Sequence, residues 1–132
     1  IGQNLKFLHA LDVALRFGLA WQVESKSLKE LAFVLMRQWI RIFGPPENLS
    51  SDQEGALAHM EFGRWCERLK IKRHLLPKED HCWLIERHHD ILRRIYLKMA
   101  DTLKEEDIVI DPDDIMAEAC YAKNIIINHD VK

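Results

Sequence analysis

Residues 43–55 read Phe43-Gly44-Pro45-Pro46-Glu47-Asn48-Leu49-Ser50-Ser51-Asp52-Gln53-Glu54-Gly55. Gly44 and the two prolines stop any helix that reaches them, since glycine takes the left-handed cap and proline cannot extend the ladder. Asn48 to Ser51 is the only room for a strand before Asp52, and Gly55 permits a tight turn after it. Further on, Leu84-Ile85-Glu86-Arg87-His88 opens a helix with a second carboxylate near its start. Two acids placed this way, one just past a strand and one on a helix, suit a site that holds divalent metal against phosphate.

The flanking sequence reads as a scaffold for that pair. The apolar run Lys6 to Val13 predicts a buried strand, Arg16-Phe17-Gly18 a turn, and Leu19 to Val23 a second strand antiparallel to the first. Ser27-Leu28-Lys29-Glu30 is a capping box. Behind it Leu28, Leu31, Ala32, Leu35, Trp39 and Phe43 recur at helical spacing. Strand, helix, strand implies a right-handed crossover, so the strand before Asp52 is expected to lie parallel to Leu19–Val23 as its neighbour. A second helix is expected from Gly55 to about Leu69, burying Leu57, Phe62, Trp65 and Leu69. Ile71 to Leu76 predicts a short strand and Pro77 to Cys82 a polar loop. The longest helix is expected from Trp83 to Leu103, with Ile85, Ile91, Leu92, Ile95, Met99 and Leu103 as its apolar stripe. A last helix starts at Asp113-Asp114 and turns Ile115, Ala119, Ala122 and Ile126 inward. The expected class is α/β: a small mixed sheet with helices on both faces.

A length of 132 residues fits one domain, with 48% hydrophobic and 30% charged residues. No apolar run is long enough to span a bilayer. Three cysteines are too few for a disulfide framework. Residues 64–98 carry a net charge of +5, against -1 for residues 1–63 and -6 for residues 99–132. A basic middle beside the paired acids is compatible with a polyanionic partner, or with an ordinary solvated helix face. Taken alone, Asp52 could equally be a turn or N-cap aspartate, and Glu86 a first-turn glutamate that complements the helix dipole. His74, His81, Cys82, His88 and His89 match no standard zinc spacing. Of the tryptophans, Trp21, Trp39 and Trp65 read as core, and Trp83 is the one candidate for stacking on a base.

Several segments together resemble one family. Phe43 to Gly55 looks like the integrase-core motif of a glycine-proline turn, a short strand and an aspartate followed closely by glycine. Phe62-Gly63-Arg64-Trp65-Cys66 and Leu69-Lys70-Ile71-Lys72 resemble the family's next helix and its turn into a strand. Leu84 to Leu92 resembles the helix start that carries the family's glutamate, and Ala119 to Asn124 its closing helix. The chain is thus similar to the catalytic core of a retrotransposon or retroviral-type integrase, over nearly all of residues 1–132. Two positions depart from the pattern: Cys82-Trp83 stand where the family has a polar residue and glycine, and Glu54 is inserted before Gly55.

The resemblance implies a ribonuclease H-like fold and Mg²⁺ or Mn²⁺ held by two aspartates and a glutamate. Asp52 matches the second acid and Glu86 the third, as catalytic residues and metal ligands. The family's first acid sits on the strand before the one that holds Asp12, and that strand would fall upstream of Ile1. Asp12 itself has the better claim to a structural role and a lesser one to the site. Arg93, with Arg87, Arg94 and Lys98, is expected to contact DNA. The implied activity is cleavage and strand transfer on DNA for integration of a mobile element, within the nucleus, by a chain that pairs as a homodimer and does not enter membranes. The alternatives are a catalytically incomplete remnant that binds nucleic acid or supports assembly, and another ribonuclease H-like nuclease. The first acid leaves open whether the chain is itself an enzyme.

Overall fold

The computed structural model describes residues 5–25, 27–52, 60–76 and 83–130, without the side chains of Asp52 and of residues 127–130. In chain order the elements are β1 (Lys6–Leu11), β2 (Gly18–Val23), α1 (Leu28–Leu35), a π-helical turn (Met36–Ile40), α2 (Arg41–Phe43), β3 (Asn48–Asp52), α3 (Met60–Arg68), β4 (Lys72–Leu76), α4 (Trp83–Glu105) and α5 (Pro112–Asp130). They form two compact units, Ile1–Gln22 with Leu84–Lys132, and Val23–Trp83. The turn expected at Gly55, the buried Leu57 and the loop Pro77 to Cys82 lie outside the described residues.

In the first unit β1 and β2 are hydrogen-bonded neighbours. The connection between them is too short for a parallel crossover, so they form an antiparallel hairpin. Asp12 N–H donates to the Phe17 carbonyl at 2.7 Å, and Arg16 N–H to the Asp12 carbonyl at 2.8 Å. The Asp12 carboxylate also accepts from the amides of Ala14 and Leu15, both at 3.0 Å. An aspartate that satisfies its own downstream amides starts a turn, so β1 ends at Leu11 rather than at the expected Val13. Val13 and Leu15 are exposed in consequence.

Helices α4 and α5 bury their inner faces on this hairpin. Ala20, Leu92, Tyr96, Ile115, Met116, Ala119 and Cys120 form the core, with Phe7, Leu19, Ile95, Met99 and Leu103 around it. The Phe7 ring meets Tyr96 edge-on at 5.7 Å. Asn124 ties α5 to the start of β2: Gly18 N–H donates to Asn124 Oδ1 at 2.9 Å, and Asn124 Nδ2 donates to the Gly18 carbonyl at 3.0 Å. That bond sets the rotation of α5. Met116, Ala119, Cys120 and Lys123 share the inward face, and Ile126, expected in the core, is 51% exposed.

In the second unit Ser27 caps α1, its hydroxyl accepting from Glu30 N–H at 3.3 Å. The Glu30 carboxylate reaches back to the amides of Glu24 and Ser25, at 2.6 and 2.9 Å. The helix expected to continue evenly to Phe43 passes through the π-helical turn instead, which shifts the register of the residues after it. Phe43 is therefore exposed rather than the end of the apolar stripe. Gly44, at φ +82°, ends the helix with its N–H on the Ile40 carbonyl.

β3 pairs in parallel with β4, from Asn48 opposite Lys72 to Asp52 opposite Leu76, and α3 is the crossover between them. The expected neighbour of β3 was β2, and the expected sheet was a single one. Among the described residues the ladders are β1–β2 and β3–β4. Both β2–α1–β3 and β3–α3–β4 satisfy the crossover rule, which fixes handedness and not which strands meet. Side chains reinforce the observed pairing, since His74 Nε2 lies 2.9 Å from Asn48 Oδ1 on the facing strand. Phe62 and Cys66 on α3 are fully buried, and Phe62 stacks on Trp65 at 5.2 Å. The class remains mixed α/β, with small sheets flanked by helices. No described helix is long and apolar enough to cross a membrane.

Replacing Asn124 by alanine strands the buried N–H and carbonyl of Gly18. The expected cost is about 2–4 kcal/mol in urea unfolding, against near zero for Ile126→Ala on the exposed side of the same helix.

Candidate functional site

Asp52 is the last residue of β3, opposite Leu76 of β4. In parallel strands joined by a crossover helix, the carboxyl ends are where ligands meet the sheet. Glu86 stands in the first turn of α4 and is exposed. There its charge complements the positive end of the helix dipole. The two acids belong to different units, and each is placed here within its own.

The basic residues singled out with Glu86 all lie on α4 and are all exposed. At 100° per residue, Arg93 returns to the face of Glu86 after two turns, while Arg87, Arg94 and Lys98 form a strip beside it. Asp90 and Asp101 interrupt that strip, so the face is of mixed charge rather than uniformly basic. Trp83, at the head of the same helix, is 66% exposed. Trp21, Trp39 and Trp65, expected in the core, are half-buried.

Asp12 is used locally, its carboxylate closing the β1–β2 turn. Among the candidates for zinc, His74 pairs with Asn48, and His81 and Cys82 lie outside the described residues. No group of three or more His, Cys, Asp or Glu poised for a metal ion occurs among the described residues.

A cluster that the motifs do not announce sits under the start of α4. Phe7 and His9 lie on one face of β1, two residues apart. Phe7 packs on Tyr96, and the His9 ring lies 4.5 Å from that of His89, with the two Nδ1 atoms 2.5 Å apart. Lys123 is buried behind them. A Cβ on Gly18 would stand 3.0 Å from His9 Nε2 and 3.2 Å from Lys123 Nζ, so glycine at that position makes room for both. His9 Nε2, His88 Nδ1 and Lys123 Nζ are buried and have no hydrogen-bond partner among the described residues. Withdrawal from water disfavours their charged forms. Burial first, then the cations His89, Lys123 and His88, push His9 down to about 3. Burial, then Lys123, Arg16 and Arg87, push His88 down to about 4. Burial lowers His89 as well, opposed by Asp90 and by Glu86 one turn before it. Lys123 is lowered by burial, with Cys120 opposing. The sequence marks His88 and His89 only as members of a set that matches no zinc spacing, and His9 only as a polar residue in an apolar run. Nothing marked Lys123, which reads as an ordinary surface residue.

No protein-family model matches the chain, and no curated protein does. Solved structures do. The chain matches, over 89% of its length, 41% of a chain in the simian T-cell lymphotropic virus intasome in complex with PP2A regulatory subunit B56 gamma, with TM-score 0.76 and 19% identity. It also covers 80% of the HTLV-2 integrase catalytic core domain in complex with magnesium, in trimeric form, with TM-score 0.69 and 17% identity. The chain thus spans about two-fifths of the simian viral chain and four-fifths of the HTLV-2 core. At these identities the likeness is one of architecture: the chain has the ribonuclease H-like fold of a retroviral integrase catalytic core.

The histidine cluster sets a pH dependence. His9 titrates near its ordinary value of 6.5 when unfolded and about 3 when folded. Between those values the unfolded chain binds the extra proton, so stability falls as pH is lowered below about 6.5 and continues to fall towards about 3. His9→Asn keeps a hydrogen-bonding atom near the Nδ1 position and removes the titration. Urea midpoints measured from pH 7 to pH 4 are expected to decline less steeply in that variant.

Proposed function

We propose that this chain is the core of an integrase of a retrovirus or retrotransposon, cutting DNA phosphodiesters and joining a DNA 3′-hydroxyl to a target strand. The observation that carries the reading is the fold it shares with a retroviral integrase core solved with magnesium. Asp52 at the end of β3 and Glu86 in the first turn of α4 supply carboxylates that accord with it.

Hard oxygen donors from separate elements fit Mg²⁺ or Mn²⁺, and an exposed first-turn glutamate is accessible to an ion. Asp52 and Glu86 would hold that metal. When bound, it supplies neutralisation of charge on the attacking and leaving oxygens of the phosphodiester. The protein's own part is to hold the DNA. Arg87, Arg94 and Lys98 offer phosphate contacts from one strip of α4, and Arg93 offers one beside Glu86. Such contacts position DNA without reading its sequence, and they weaken with salt. The reading carries with it DNA ends and target DNA as partners, pairing of two copies, and action inside the cell, in the nucleus.

An alternative keeps the fold and the DNA contacts without the chemistry. It is favoured by Asp12, whose carboxylate is committed to the amides of Ala14 and Leu15 within its own turn.

Calorimetric titration with Mn²⁺ separates the two. Asp52→Asn and Glu86→Gln are each expected to weaken binding by about tenfold or more. Equal affinity in both variants would remove the metal reading. Strand transfer on DNA is expected to vanish in Glu86→Gln, and full activity there would mean that Glu86 is misassigned. For DNA binding, Arg93→Ala and Arg94→Ala are each expected to reduce the slope of log affinity against log salt by about one.

A further inference from the structure

We propose that the corner where α3 turns into β4, carrying Arg68, Lys70 and Lys72, is a second holding surface for duplex DNA, gripping its phosphate backbone away from the carboxyl end of β3. It rests on the DNA-binding reading but not on the metal reading, and it belongs to a different unit from the cations of α4.

The positive charge in the middle of the chain is concentrated here. Residues 64–73 hold five cations, Arg64, Arg68, Lys70, Lys72 and Arg73, against one acid, Glu67. Helix α4 holds five cations against four acids, which nearly cancel them. Of the five at the corner all but Arg73 are exposed. The Arg73 guanidinium lies against α3 at Gly63, where a Cβ would stand 2.9 Å from Nη2, so it fastens the strand to the helix. Arg64 reaches back along α3 to Met60 Sδ at 3.9 Å. Among the described residues no carboxylate pairs with Arg68, Lys70 or Lys72.

Backbone geometry marks the middle cation. Helix α3 ends in a Schellman cap, with Lys70 N–H on the Glu67 carbonyl at 3.0 Å and Ile71 N–H on the Cys66 carbonyl at 2.8 Å. Lys70 fills the left-handed position of that cap, at φ +60°. Glycine takes this conformation freely, whereas a lysine side chain is disfavoured in it. The helix dipole accounts for Arg68 in the last turn, but it does not require a cation at the one strained position. A side chain kept where the backbone opposes it points to a contact outside the fold. Lys72 then opens β4 opposite Asn48, its N–H on the Glu47 carbonyl at 2.8 Å. Asp52 stands at the other end of that ladder, about 13 Å along β3. Contact at the corner therefore anchors DNA rather than presenting it to that acid.

The chemistry of the patch selects its partner. Between residues 61 and 76 no large apolar side chain is exposed. A membrane surface needs apolar side chains to insert, and a protein partner needs apolar or aromatic anchors at the centre of the patch. A phosphate backbone is held by charge and hydrogen bonds alone. Phe62, Cys66 and Ile71 are buried beneath the corner, so its backbone is already ordered before contact.

The test titrates the full chain, labelled with ¹⁵N, with short duplex DNA at low salt. Shift changes are expected at residues 68–72 as well as along α4. In anisotropy titrations over a range of salt, Lys70→Gly and Lys72→Ala are each expected to reduce the slope of log affinity against log salt by about one, and Lys70→Arg to retain it. Lys70→Gly is expected to raise the urea midpoint at the same time, because glycine relieves the backbone. A variant that is more stable yet binds more weakly has lost a contact and not its fold. Lys104→Ala, next to the acids that end α4, is expected to leave the slope unchanged. An unaltered slope in both Lys70→Gly and Lys72→Ala overturns the proposal, and a slope still lowered by Arg94→Ala leaves the α4 contacts standing without it. Absence of DNA binding overturns both. Binding to phosphatidylserine vesicles that Lys70→Gly weakens, with DNA affinity unaltered, overturns it by assigning the corner to a membrane.

Discussion

The two-way hydrogen bond between Asn124 and Gly18 is the contact on which the first unit turns. Both partners are buried, so breaking it leaves a donor and an acceptor with nothing in exchange. By fixing how α5 is rotated against β2, it decides which of that helix's residues become core. Met116, Ala119 and Cys120 go inward, and Lys123 goes with them because it lies on the same face. The buried lysine then shares its surroundings with His9, and withdrawal from water disfavours the charged form of each. One backbone clamp thus connects the packing of the hairpin to the electrostatics below the start of α4.

The second unit is organised by a different constraint. β3 is short, and a strand of that length is held only by a ladder along its whole extent, which β4 supplies from Asn48 to Asp52. The crossover helix α3 buries Phe62 and Cys66 to keep the pair together. Asp52 therefore stands at the end of a paired strand, where its backbone is fixed. Glu86 owes its position to a different principle, the first turn of a long helix. Each acid is set by secondary structure, and the α4 cations follow from helical periodicity alone.

Much of the scaffold was legible residue by residue. The Ser27–Glu30 box, the stop at Gly44, the strand ending at Asp52 and the apolar stripe of α4 each follow from local rules that act over a few residues. Legibility failed where the deciding partner was distant or where a local bond competed with a pattern. Val13 looked like strand because the apolar run continued to it, yet the Asp12 side chain had already claimed the next amides. Ile126 looked like core because hydrophobicity was counted without the Asn124 bond that turns it outward. Phe43 fell off its stripe because a π-helical turn shifts register without changing composition.

Sequence by itself determined the α/β class, the order of the elements and the ends at which Asp52 and Glu86 stand, since capping, periodicity and turn chemistry are properties of neighbouring residues. Only tertiary structure decided that β3 pairs with β4, that Lys123 is buried beside His9, and that His9 meets His89. Those outcomes depend on contacts between residues far apart in the chain, up to 106 positions for Gly18 and Asn124. Their free energies come from burial and from hydrogen bonds in a low-dielectric interior, and no local pattern encodes them.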